Sequence, residues 1–173
     1  MRKPVTLEAG KEKGRCGAPT GSLTGGRHRA WGALLRSHAF WVERIERRLS
    51  EAGVLGVEAY DVLLALSYAP NCRLRMGELH DVVTLSRSGL TRLVDRLERE
   101  GWVRREVCCN DRRSFEAILT DEGEAERARA WPIYAQAVAE EFGHFFSDDE
   151  ARELAALLGR PLSHSAECGI RKP

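Results

Sequence analysis

The chain has 173 residues, 43% of them hydrophobic and 31% charged, and a formal net charge of +1. That length suits one domain with a sizeable core, and no apolar run approaches the ~20 residues of a membrane span. Met1 to Gly26 lacks the apolar stretch of a secretory signal, so a cytoplasmic location with no membrane partner is expected. The charge near zero makes no case for nucleic acid, but its distribution does. Arg73 to Arg113 carries ten Arg against seven acidic residues, whereas Thr120 to Arg160 carries four Arg against ten. The first stretch is fit to meet phosphates and the second would be repelled by them.

In chain order, residues 1–27 hold Gly, Lys and Arg with few large apolar residues, which predicts a disordered basic tail. A helix is expected from near Arg29, with Trp31, Leu35, His38, Val42, Ile45 and Leu49 as a heptad-like seam and Gly53 as its stop. A second helix, Val57 to Tyr68, buries Ala59, Val62, Leu63 and Leu66, and Pro70-Asn71 ends it. A short third helix, Met76 to Val83, turns Leu79 and Val82 inward.

Ser86 caps a fourth helix whose core face is Leu90, Leu93, Val94 and Leu97. Trp102 to Val107 and Ser114 to Leu119 read as two strands of a hairpin, with Phe115, Ala117 and Leu119 alternating against Glu116 and Ile118. A long helix follows from Asp121 to about Phe146, with Thr120 as cap, Pro132 inside it, and Ala128, Trp131, Ala135, Val138, Phe142 and Phe145 as its stripe. Ser147 to Glu150 is a capping box for a last helix that Gly159-Arg160-Pro161 should end, leaving residues 161–173 as a C-terminal tail.

The third and fourth helices make a helix-turn-helix, whose second helix offers its N-terminal residues to base edges in the major groove. Ser86, Arg87, Ser88, Thr91 and Arg92 occupy that end, with Arg96 one turn on where phosphate contact is expected. Arginine can donate two hydrogen bonds to guanine, and hydroxyls can bond bases or phosphates. The hairpin tip adds Asp111, Arg112 and Arg113, and an extended arginine suits the narrow minor groove, with Asp111 placed to orient Arg113. The bland alternative is a solvated helix face and a hairpin kept soluble by its charge.

Ser88 through Gly101, then Asp111-Arg112-Arg113, then Leu119 through Gly123, resemble in order and spacing the winged helix of the MarR family of bacterial transcriptional regulators. With the flanking helices, the resemblance covers about 130 residues and leaves out both tails. It implies a mainly α fold: a winged helix-turn-helix lobe at 55–119 within a domain at 28–160, and dimerisation helices at 28–53 and 120–160. It also implies a homodimeric repressor on a pseudo-palindromic operator, released by a small aromatic ligand, with Arg113 in the minor groove.

An effector pocket is expected where the first two helices meet the winged unit, walled by His38, Trp41, Tyr60, Asp61 and Tyr68. Ordinary packing is the competing reading of those aromatics. Two alternatives to ligand control of DNA binding are open. One is a thiol-based redox regulator, for which Cys108 and Cys109, close to Arg104, Arg105, Arg112 and Arg113, and Cys72, beside Arg73, are the candidate thiols, with Cys16 far upstream in the tail; the other is a winged-helix protein-interaction module. No linked catalytic motif and no close-spaced metal-ligand pair stands in the sequence, so neither an enzyme nor a cofactor or metal site is expected.

Overall fold

The computed structural model describes residues 25–108 and 111–167, and of 108, 111–114 and 162–167 the backbone alone. The order is α1 (Gly25–Glu51), α2 (Val57–Tyr68), a 3-10 turn (Pro70–Cys72), β1 (Arg73–Arg75), α3 (Met76–Val82), α4 (Arg87–Arg99), β2 (Val103–Cys108), β3 (Asp111–Leu119), α5 (Asp121–Glu141), a second 3-10 turn (Gly143–Phe145) and α6 (Asp148–Glu167). By internal contacts the chain divides after Arg36, so the first part of α1 is described by itself: Trp31, Leu34 and Leu35 are exposed on it.

The winged lobe has its own core. Val62, Leu63 and Leu66 of α2, Leu79 of α3, and Leu90, Val94 and Leu97 of α4 lose essentially all contact with solvent, and Val103 and Ala117 close the sheet side. The three strands are antiparallel in the order β1-β3-β2. At the base of central β3, Ala117, Ile118 and Leu119 are all buried, so both faces are covered there. Farther out, Phe115 and its cross-strand partner Val107 are exposed.

Two backbone devices connect this lobe to the helix that follows. Gly101 takes φ of 78°, the left-handed conformation glycine adopts without strain, and lets Trp102 N–H donate back to Leu97 O at 2.9 Å before β2 begins. Thr120 then serves both ends: its hydroxyl donates to Gly101 O (2.7 Å) and accepts from Gly123 N–H (3.0 Å), capping α5. Gly123 is pressed against Trp102, where a Cβ would stand 2.1 Å from the carbonyl oxygen.

Several elements differ from the sequence expectation. α1 starts at Gly25, and only Ile45 and Leu49 of the expected seam are buried; Trp31, Leu35, His38 and Val42 are exposed. β1 was not foreseen, because three residues between a turn and a helix carry no periodicity, and pairing with β3 is what defines them. Val82 is 62% exposed, and Val83 and His80 are buried in its stead, since the backbone becomes extended at Val83 (ψ 155°) and swings that side chain inward.

The inward face of α5 is Ala130, Tyr134, Ala137 and Glu141, one step off the expected stripe. Small residues on that face allow close approach, and Tyr134 stacks on Tyr60 at 4.4 Å while Trp131 remains 52% exposed. α5 ends at Glu141, with the 3-10 turn taking over where the longer helix was expected. The capping box of α6 is present: Ser147 N–H donates to Glu150 at 2.9 Å. The helix passes through Pro161 to Glu167, because an interior proline costs a helix one donor and some strain but does not always stop it.

Candidate nucleic-acid interface

α4 carries two chemistries on opposite sides. Its core side is fully apolar, and its outer side presents Arg87, Ser88, Thr91, Arg92 and Arg96, all exposed. Ser86 accepts from Gly89 N–H at 3.1 Å and so holds the first turn open toward solvent. The Thr91 hydroxyl donates to Arg87 O (2.9 Å) and Arg92 Nε donates to Ser88 O (3.3 Å), which fixes both side chains along the helix while leaving an acceptor on the hydroxyl and donors on the guanidinium. Among the described residues, Arg87, Arg92, Arg96 and Arg99 have no ion-pair partner. Several arginines elsewhere are matched, Arg44 and Arg48 to Glu140 and Glu141, Arg73 and Arg75 to Glu106 and Glu116, Arg127 to Glu124 and Arg129 to Glu126, whereas Arg27, Arg29, Arg36 and Arg47 of α1 and Arg160 of α6 are not matched among the described residues. A polar groove of about 580 Å³ runs beside Arg92, Arg96 and Arg99 and includes the start of α4 at Ser86 and Gly89. Positive potential, exposed donors and a helix N-terminus converge there, which is what a phosphate backbone requires.

The wing is locked to this helix by Arg105 on β2. Its guanidinium pairs with Asp95, reaches Glu98 at 3.5 Å and donates to Thr91 O at 3.4 Å, while its own N–H donates to Glu98 at 3.1 Å. The sequence reading missed Arg105. A signal was available: two acids three residues apart on the helix, followed after one glycine turn by an arginine on the strand. On the outer part of the sheet, Arg73 and Glu106 (3.6 Å) and Arg73 and Glu116 (3.5 Å) tie β1, β2 and β3 together. The β3 backbone begins at Asp111, opposite Cys108. The side chains of Asp111, Arg112 and Arg113 lie outside the described residues, as do residues 1–24 and Cys109.

The sequence profile of the MarR family matches residues 52–114, the span from the end of α1 to the wing. Sco3205 of Streptomyces coelicolor, a MarR family transcriptional regulator solved in complex with DNA, superposes with a TM-score of 0.73 at 30% identity, over 83% of this chain and 93% of Sco3205. This chain belongs to the MarR family. It is a DNA-binding transcriptional regulator with the winged-helix fold of that family. The regulator PecS of Dickeya dadantii is 34% identical over 112 residues, which is 64% of this chain and 66% of PecS, just under two thirds of its length. BpsR of Bordetella bronchiseptica, whose DNA binding is regulated by 6-hydroxynicotinic acid, shares the fold with a TM-score of 0.67 at 19% identity, over 84% of this chain and 98% of BpsR.

The five residues expected to wall an effector pocket are not gathered in one place in this MarR-family chain. His38 is exposed on α1. Trp41 belongs to an aromatic cluster, edge-on to Phe142 at 4.9 Å and to Phe146 at 5.9 Å. Tyr60 is core, stacked on Tyr134, and burial pushes its phenol up; nearby Arg127 opposes that shift without reaching hydrogen-bond geometry with the buried hydroxyl. Asp61 and Tyr68 share an open groove of about 550 Å³, with Leu64, Leu74, Val82 and Val83 among its walls. Spacing on one helix put Tyr60 and Asp61 side by side in sequence, but successive helical residues point about 100° apart, so one is core and the other lines the groove. Of the cysteines, Cys72 is an exposed free thiol at the turn before β1. No described helix is long and apolar enough to cross a membrane, and no described group of three His, Cys, Asp or Glu is arranged to hold a metal ion.

Proposed function

We propose that this regulator binds an inverted-repeat operator as a homodimer and represses the genes beside it until a small effector enters the groove that Asp61 and Tyr68 line. The observation that carries the DNA-reading part is the concentration of exposed, unpaired arginine on one helix: Arg87, Arg92, Arg96 and Arg99 of α4 lack ion-pair partners among the described residues, and three of them line one polar groove at the helix-turn-helix. Ser86, Arg87, Ser88, Thr91 and Arg92 would meet base edges, Arg96 a phosphate, and Arg113, oriented by Asp111 beside Arg112, the minor groove.

The second copy is supported by apolar surface that a single chain leaves open: Trp31 and Leu35 on α1, Trp131 on α5, Phe145 after it, and Leu157 and Leu158 on α6. Small-molecule control occurs on this fold, since 6-hydroxynicotinic acid regulates DNA binding by BpsR. The test is a titration of purified protein into the intergenic DNA beside its own gene, with excess random competitor. Competitor-resistant binding that saturates at two chains per site is expected. Binding equal to that of random DNA, or saturation at one chain per site, would contradict the reading.

A further inference from the structure

Two grooves of similar size flank the turn between α3 and α4, and they have opposite chemistry. The groove beside Arg92, Arg96 and Arg99 is polar and basic and belongs to the DNA interface. The other lies between α2, β1 and the end of α3. Leu64, Ala65, Leu74 and Val83 give it apolar walls, and its polar groups are Asp61, Tyr68 and the Thr84 hydroxyl. No lysine, arginine or histidine lines it. Asp61 is half-buried and has no ion-pair partner among the described residues; Glu58, one turn earlier on α2, lines the other groove and acts on Asp61 only through its charge. Tyr68 is 83% exposed, so its ring is free to cover an occupant.

We propose that this groove is an effector site for small organic cations, an ammonium or amidinium carried on an aromatic or apolar body, and that it disfavours aromatic acids. The proposal rests on the effector reading above and specifies the charge of the ligand. An apolar body would replace water along the leucine and valine walls. Its cationic head would give the half-desolvated Asp61 carboxylate the counter-charge it lacks, and the Tyr68 ring can add a cation–π contact. A carboxylate ligand would meet the like charge of Asp61 and no donor cation. Burial, reinforced by Glu58, already pushes the Asp61 carboxyl above its ordinary range, as expected of an acid without a partner. Regulation follows from position: Val83 and Thr84 form both a wall of the groove and the start of the turn into α4, so an occupant that moves them moves the reading helix.

The experiment uses three ligands of nearly equal shape, 1-naphthylmethylamine, 1-naphthalenemethanol and 1-naphthoate. Each is titrated calorimetrically into the full chain and then added to the protein–DNA complex. The amine should bind at least about tenfold more tightly than the naphthoate and should release DNA. Asp61→Asn, which removes an unpaired charge and so should not harm folding, should erase that preference. Naphthoate binding as tightly as the amine and releasing DNA would leave the effector reading standing and overturn the cation assignment. An amine preference unchanged in Asp61→Asn would overturn the role of Asp61. Silence from all three would overturn the groove as an effector site, and the proposal with it.

Discussion

The winged lobe and the helices that flank it use the same residue types in opposite ways. In the lobe, Val62, Leu63 and Leu66 of α2, Leu79 of α3 and Leu90, Val94 and Leu97 of α4 are buried together, while Arg87, Arg92, Arg96 and Arg99 of α4 face solvent without ion-pair partners among the described residues. In the flanking helices both arginines of α5 are paired to acids and Arg44 and Arg48 of α1 pair with Glu140 and Glu141, while large apolar residues such as Leu157 on α6, Trp131 on α5 and Phe145 after it are left open. The lobe thus gathers unpaired arginine on one exposed helix face, whereas the flanking helices gather uncovered apolar side chains. Each region shows what it still lacks: a polyanion for the first, an apolar partner surface for the second.

The largest effects should separate the two regions by stability. Leu97→Ala opens a cavity in a fully buried site and is expected to cost about 2–5 kcal/mol in chemical denaturation. Leu157→Ala, in the exposed stripe of α6, should weaken self-association on dilution, read by sedimentation; equal unfolding losses for the two variants would break the comparison. Gly123→Ala should cost about 1–3 kcal/mol, since the new methyl meets the Trp102 backbone and either that contact or the Thr120 cap must give. An unchanged unfolding midpoint would show that the α5 junction has slack.

The next effects concern DNA. Asp95→Asn removes a negative charge from the reading helix, and simple electrostatics would strengthen DNA binding. The ion pair with Arg105 predicts the reverse, an affinity loss of severalfold as the wing loosens from α4, and tighter binding by the variant would show that Arg105 does not position the wing. Arg113→Ala should lower the slope of log affinity against log salt by about 0.9, the value for one lost phosphate-equivalent contact, with an unchanged slope removing Arg113 from the electrostatic footprint.

The smallest effect is on acid stability. Glu141 is held below its ordinary pKa of 4.5 chiefly by its hydrogen bond to Arg44, with Arg48 adding to it. A carboxyl lowered by folding stabilises at pH above 4.5 and loses that contribution as pH falls through 4.5 toward its folded value. Glu141→Gln should therefore flatten the acid limb of the stability profile, and a limb of unchanged steepness would mean the pairs contribute little.

How much was legible in the sequence varied by element. α4, its Ser86 cap and its four core positions could be read directly, because a local cap and a 3.6-residue period are properties of neighbouring residues. β1 could not, since a three-residue strand exists only through its partner β3. The inner face of α5 lies one step off the expected stripe because Ala130 and Ala137 face inward where helices approach closely, so residue size does not mark that face. Nor did a motif announce the groove beside Asp61; it is made by three elements separated in sequence, and the charge missing from its lining is a property of their assembly. The Arg105 contacts stand between these cases, local enough to suspect and tertiary in their consequence.

The central claim is that paired α4 helices read DNA sequence. The most direct measurement is selection of bound duplexes from a random-sequence library by the full chain, followed by sequencing. An inverted repeat with half-site centres about 10 base pairs apart is the predicted result. Recovered duplexes with no shared motif, or with a single unrepeated half-site, would contradict it.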